Sequence, residues 1–154
     1  MELAKGNNLI IYMTCVFSTP RIMFNSTTIS MITGLAEPSD GKILINGLDI
    51  VKETKEARKF IGFCPQFNLL FDDLTVYEHL KFFAKLKNNF DEKEIDNMLE
   101  IINLADKKHA LSKTLSGGMK RKLSVSIAFI GKSSIVILDE PSKSIRLDLG
   151  TRME

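Results

Sequence analysis

An α/β fold with a largely parallel sheet is what this sequence predicts, and three observations carry it. Apolar runs alternate along the chain with segments of helical periodicity. The last of these runs, "SSIVILDEP" (133–141), is continuously apolar, as a buried strand is, and ends on two acids. Turn-forming clusters such as "AEPSDG" (36–41) separate the runs.

The elements follow in order. "LIIYMTCVF" (9–17) reads as a strand; the alternative, the apolar region of a signal peptide, is opposed by Glu2 beside Lys5 and by the lack of a small-x-small cleavage site. A helix opens on the hydroxyls of Ser26, Thr27 and Thr28, runs through Ile29, Met31, Ile32 and Leu35, and has Gly34 as its stop. "KILING" (42–47) alternates apolar and polar, as a half-exposed strand does, and "KFIGFCPQ" (59–66) reads as a strand leading into a loop. Thr75 with Glu78 forms a capping box ahead of Val76, Leu80, Phe83 and Leu86. Asp91 with Glu94 starts a second helix in the same way, burying Ile95, Met98, Leu99 and Ile102. Another helix follows Ser116 and ends near Gly131. Residues 75–106 thus form a helical block long enough to be a subdomain inserted into the sheet core.

Size and composition fit this reading. A chain of 154 residues is expected to be one domain. Its 21 basic and 19 acidic residues leave a net charge of +2, which gives no electrostatic case for binding nucleic acid. Cys15 and Cys64 lack metal-type spacing and read as free thiols. No apolar run reaches the roughly 18 residues of a spanning helix, so neither a transmembrane segment nor a signal peptide is expected here.

Two stretches carry chemistry. "IVILDE" sets Asp139 and Glu140 just past the carboxyl end of a buried strand, where open α/β sheets place their ligands. One carboxylate there can hold Mg²⁺ through water and the next can orient and deprotonate an attacking water, although two acids can also simply end a strand in solvent. In "TLSGGMKRKLS" (114–124), Ser116 is a good helix N-cap, while Gly117 and Gly118 each cost about 1 kcal/mol relative to Ala in a first turn. Glycines belong there if something must approach the backbone closely, and free N–H groups suit an anion.

These residues resemble the ATP-binding cassette (ABC) ATPases. "LSGGMKRKL" is similar to the family's signature motif, "IVILDEP" to its Walker B strand, and "TTISMITGLAEPSDGKILINGLDI" (27–50) to the segment after its phosphate loop. "FCPQFNLLFDDLTVYEHL" (63–80) resembles the Q-loop region in the form seen in the A subfamily, known chiefly for moving lipids. The likeness runs from Ser26 to Pro141, with 1–25 and 142–154 divergent. It implies a single, partial ABC nucleotide-binding domain of P-loop NTPase-like fold, using ATP and Mg²⁺ at the cytoplasmic face of a membrane. Its partners would be a second nucleotide-binding domain and the transmembrane domains of a transporter. By the same likeness Ser116, Gly117 and Gly118 touch the γ-phosphate of ATP on the opposite cassette. Ser26 and Thr27 meet the chain's own nucleotide, and Ser26, Gln66 and Asp139 serve Mg²⁺. Gln66 and Glu140 are the catalytic residues, Glu140 polarising the attacking water.

The sequence departs from the family at both edges. Asn25 stands where the phosphate-loop lysine belongs, and Phe24, Ile22 and Thr19 stand on its three glycines. Side chains at these places obstruct the backbone curl that cradles phosphate, so weak or absent ATP binding at this loop is expected. Arg146 occupies the D-loop aspartate position, no switch histidine follows, and His79 and His109 lie in the wrong segments to replace it. The upstream aromatic that stacks on adenine has no clear match, since Tyr12 lies too close to the helix. The function implied is the cassette domain of an A-type transporter, ATPase by resemblance, with its own nucleotide binding impaired; the alternative is a non-catalytic fragment that docks on an intact cassette through its signature motif.

Overall fold

The apolar run near residue 135 folds as the middle strand of a three-stranded parallel sheet. The computed structural model describes residues 2–3, 9–13 and 26–139, with side chains from Thr27 to Asp139. In chain order the elements are β1 (Glu2–Leu3), β2 (Leu9–Met13), α1 (Ser26–Ile32), β3 (Leu44–Ile45), β4 (Leu48–Asp49), a one-turn α2 (Thr54–Ala57), β5 (Ile61–Cys64), α3 (Val76–Leu86), α4 (Glu92–Ile101), α5 (Gly117–Phe129) and β6 (Ile135–Asp139). The main sheet has the order β2-β6-β5, with Leu9 and Ile61 both in register with Ile135. A small second sheet pairs β1 parallel to β3 and β3 antiparallel to β4.

Residues Ile135 to Leu138 are fully buried because both faces of β6 are covered. Val136 and Leu138 pack with Cys64, Leu80, Leu99 and Leu123 into the core under α3, α4 and α5. Ile135 and Ile137 face the other way, joining Ile32, Ile45, Ile50 and Ile61 under α1 and the small sheet. Residues one apart on a strand point to opposite faces, so one strand holds two cores together.

The helix ends follow local chemistry. Thr75 and Glu78 form the full capping box, with the Thr75 N–H donating to Glu78 at 2.8 Å and the Glu78 N–H to the Thr75 hydroxyl at 3.2 Å. Gly34 (φ +70°) closes α1 through a Schellman pair, its own N–H reaching Met31 and that of Leu35 reaching Ser30. Asn88 and Asn103 do the same for α3 and α4 at φ +54° and +53°. Asparagine tolerates this left-handed conformation better than most residues.

Three expectations need correction. Residues 42–47 are not one strand but half of a hairpin, turning at Asn46 and Gly47, both with positive φ, before β4. Leu86 is 60% exposed rather than buried, and His79 and Ala84 take inward positions on α3. Asp91 caps α4 alone, accepting from Lys93 N–H; Glu94 instead accepts from the N–H groups of Gly131 and Lys132. The buried face of α4 is as expected: Ile95, Met98, Leu99 and Ile102.

Candidate nucleotide site

The site is built where α5 begins and where β5 and β6 end. Ser116 caps α5, its Oγ accepting from the Met119 N–H at 3.3 Å. No acidic residue lies in the first turn to offset the positive end of the helix. Among the described residues, a Cβ added to Gly117 or Gly118 would meet nothing within 4 Å, so the backbone there lies open to an approaching group. Leu115, Leu123, Ile127 and Ile130 are buried and hold the helix to the core.

One turn further on, Arg121 joins three segments. Its Nη1 donates to the carbonyls of Pro65 at 2.6 Å and Gln66 at 3.1 Å, and its Nη2 to the carbonyl of Asp139 at 3.0 Å. Gln66 is exposed just past β5 and Asp139 half-buried at the end of β6. Because Cys64 pairs with Leu138 and Met13 with Asp139, all three strands of the parallel sheet finish at the same level. This is the carboxyl end, where such sheets bind ligands. Below Arg121, the Cys64 thiol sits 3.6 Å from the Ser124 hydroxyl, and burial pushes its pKa up.

The sequence-predicted residues divide into those the structure brings together and those it does not reach. Gln66 and Asp139 meet at Arg121, while Ser116, Gly117 and Gly118 form the first turn of the helix that carries it. Ser26 is the first residue of α1 and Thr27 is exposed beside it. Glu140, the segment 19–25 and Arg146 lie outside the described residues, as do the side chains of Tyr12 and Ser26. His79 is buried in α3 and His109 stands beside Tyr77, neither at this site. Arg121 itself was missed, although its spacing was a signal: it follows Gly117 by four and Gly118 by three, which puts it on their helix face.

The donor set fits a nucleotide in part. An open helix N-terminus of a 13-residue helix suits phosphate. Among the described residues no group of three or more His, Cys, Asp and Glu could hold a metal. Asp139 would therefore supply a single carboxylate to a Mg²⁺ whose other ligands come from phosphate oxygens and water. When bound, Mg²⁺ neutralises charge developing on the transferring phosphoryl group.

A parallel sheet with a capped Ser-Gly-Gly helix start, and with Gln66 and Asp139 just past its strands, is in keeping with the ABC transporter family, and the comparisons show that membership. The ABC transporter family model matches residues 25–143, and the chain belongs to that family. Over 123 residues, 78% of the chain, it is 53% identical to ATP-binding cassette sub-family A member 2 of Rattus norvegicus. Over the same length it is 48% identical to Phospholipid-transporting ATPase ABCA3 of Homo sapiens. The chain spans 5% and 7% of these two relatives. Among solved structures, one titled "Structure of ATP binding subunit of ABC transporter" superposes with a TM-score of 0.73 at 27% identity, over 94% of this chain and 60% of that one. The resemblance to the A subfamily and the partial P-loop-type fold both hold.

Proposed function

We propose that this chain is the cassette domain of an A-type, lipid-moving transporter, coupling ATP binding and hydrolysis to transport while binding nucleotide poorly at its own loop. The observation that carries the reading is the open start of α5: Ser116 caps it, and among the described residues nothing lies within 4 Å of a Cβ added at Gly117 or Gly118. A helix end kept open in this way serves an anion delivered from outside the chain. In this reading the anion is the γ-phosphate held by a second cassette. Gln66 and Asp139 then face the chain's own Mg²⁺ and attacking water, and Glu140 polarises that water. The residues at 19–25 supply neither glycines nor lysine, which weakens the phosphate grip.

The transmembrane partner has a surface to meet. Phe67, Leu69 and Phe71 after β5 and Phe82 on α3 are each exposed, with Phe71 edge-on to Phe82 and their ring centres 6.0 Å apart. Exposed large apolar side chains concentrated in one region favour a docking surface there. Among the described residues no helix is long and apolar enough to cross a membrane.

The test is an equilibrium titration of the chain with a fluorescent ATP analogue and Mg²⁺, alone and with an intact cassette. The expected result is little binding alone, and slower nucleotide release from the partner cassette that Ser116→Ala abolishes. Tight binding by the chain alone, weakened by Asp139→Asn, would restore full nucleotide binding to its own loop. No effect on the partner would remove the composite site altogether.

A further inference from the structure

We propose that Arg121 is a positioning residue that transmits movement of the signature helix to Gln66 and Asp139. The inference rests on the reading of Ser116–Gly118 as the surface for another cassette's nucleotide, and extends it to how the two halves of the site communicate. Its basis is that one guanidinium on α5 donates to the carbonyls of Pro65, Gln66 and Asp139. The three bonds leave two nitrogens of a planar, rigid fork, so the carbonyls are held in a fixed geometry relative to one another and to α5. At the helix end of the same side chain, Gly117 and Gly118 share its face. A phosphate that draws the start of α5 toward it therefore pulls on the Q-loop backbone and on the tip of β6 through one residue.

The alternatives for such a link are poor. Gly117 and Gly118 have no side chains to pass on a displacement, and Ser116 is committed to the Met119 N–H. Ser124, also on α5, reaches the Cys64 thiol inside the core, behind the loop rather than at it. Lysine at position 121 would keep the charge, but its single ammonium cannot hold the two carbonyl directions as a planar fork does.

Amide spectra of the ¹⁵N-labelled chain test this, comparing wild type with Arg121→Gln and Arg121→Lys, each checked for folding by its urea midpoint. The reporters are the amides whose peptide planes carry the three carbonyls, those of Gln66, Phe67 and Glu140. The first measurement is made without a partner. Both variants should shift these three amides and leave those of Leu80 and Ile95 in place; unshifted reporters overturn the link. The second adds an intact cassette loaded with Mg²⁺ and a non-hydrolysable ATP analogue. In wild type, shifts at Gly117 and Gly118 should be accompanied by shifts at Gln66, Phe67 and Glu140. In Arg121→Gln the response should stop at the glycines, and Arg121→Lys should recover part of it. Equal propagation in wild type and Arg121→Gln overturns the proposal. If the loaded cassette moves neither glycine in wild type, the composite-site reading fails and transmission fails with it, while the partner-free spectra still decide whether Arg121 holds the three carbonyls.

Discussion

Gly62 on β5 packs so closely on α5 that a Cβ in its place would fall on the carbonyl oxygen of Ala128. The atom it would strike is backbone, so no side-chain rotation relieves the clash, and the helix must lift off the sheet. Gly62→Ala is therefore expected to destabilise the fold by about 3 kcal/mol or more, within the range of severe overpacking. Urea unfolding followed by circular dichroism measures it. A loss below about 1 kcal/mol would mean that α5 and β5 can part without cost.

Lys87 gives the protein an alkaline pH dependence. Its ammonium donates to the Ile130 carbonyl at 2.9 Å and to the Ser133 hydroxyl, at the end of α5. Burial lowers its pKa from 10.5 to about 8, with Glu94 acting in the opposite direction. Between those two values the folded chain has already released a proton that the unfolded chain still holds, so stability rises with pH. The gain is at most about 3 kcal/mol, and it is complete once the pH exceeds the unfolded value. Unfolding midpoints at pH 7.5 and 9.5 should increase in wild type more than in Lys87→Met. Parallel changes in the two proteins would show that Lys87 does not carry the effect.

The capping box at Thr75 can be removed with little else disturbed. Thr75→Ala loses the hydroxyl that accepts from the Glu78 N–H and should cost about 1 kcal/mol, whereas Thr75→Ser should cost much less. The same urea assay distinguishes them. Equal losses in both variants would place the effect in the threonine methyl group instead of the cap.

Cys64 should be a slow thiol. Its side chain is fully buried and burial raises its pKa, so little thiolate is present near neutrality. In a Cys15→Ser background, alkylation by iodoacetamide at pH 7.5 should run about 100-fold slower than that of free cysteine, and recover when the chain is unfolded in urea. Fast labelling of the folded chain would mean that β5 opens from α5 on the timescale of the reaction.

How far the sequence announces all this depends on the range of each interaction. The parallel sheet was legible because β6 is apolar on both faces, and the starts of α3 and α4 because caps are local. Gln66 and Asp139 were singled out from their motifs, and the structure ties their carbonyls to one side chain, Arg121. The Asn46–Gly47 hairpin was written in the sequence as a two-residue turn signal but was hidden inside what read as one alternating strand. The inward turn of His79 was not legible, because its reason is tertiary. Its ring takes the Phe71 N–H at Nε2, 2.9 Å away, and contacts the Thr75 carbonyl through Nδ1. Leu86, the last residue of the same helix, is 60% exposed. Glu94 left its capping position for a similar reason: the loop at Gly131 and Lys132 offered two N–H groups that α4 alone could not foresee.

The place of β6 in the sheet also dictates an order of events during synthesis. Among the described strands, β2 and β5 each have β6 as their one neighbour in the main sheet, and β6 is the last of them to leave the ribosome. Until residues 135–139 emerge, not one rung of that sheet can form, and two apolar strands wait unpaired while α3, α4 and α5 are already free to coil. The nascent chain thus passes through a stage that is rich in helix and has no main sheet, when its exposed strands invite association with other chains. Closure then depends on pairings such as Leu9 with Ile135, which span most of the chain and are slow to find.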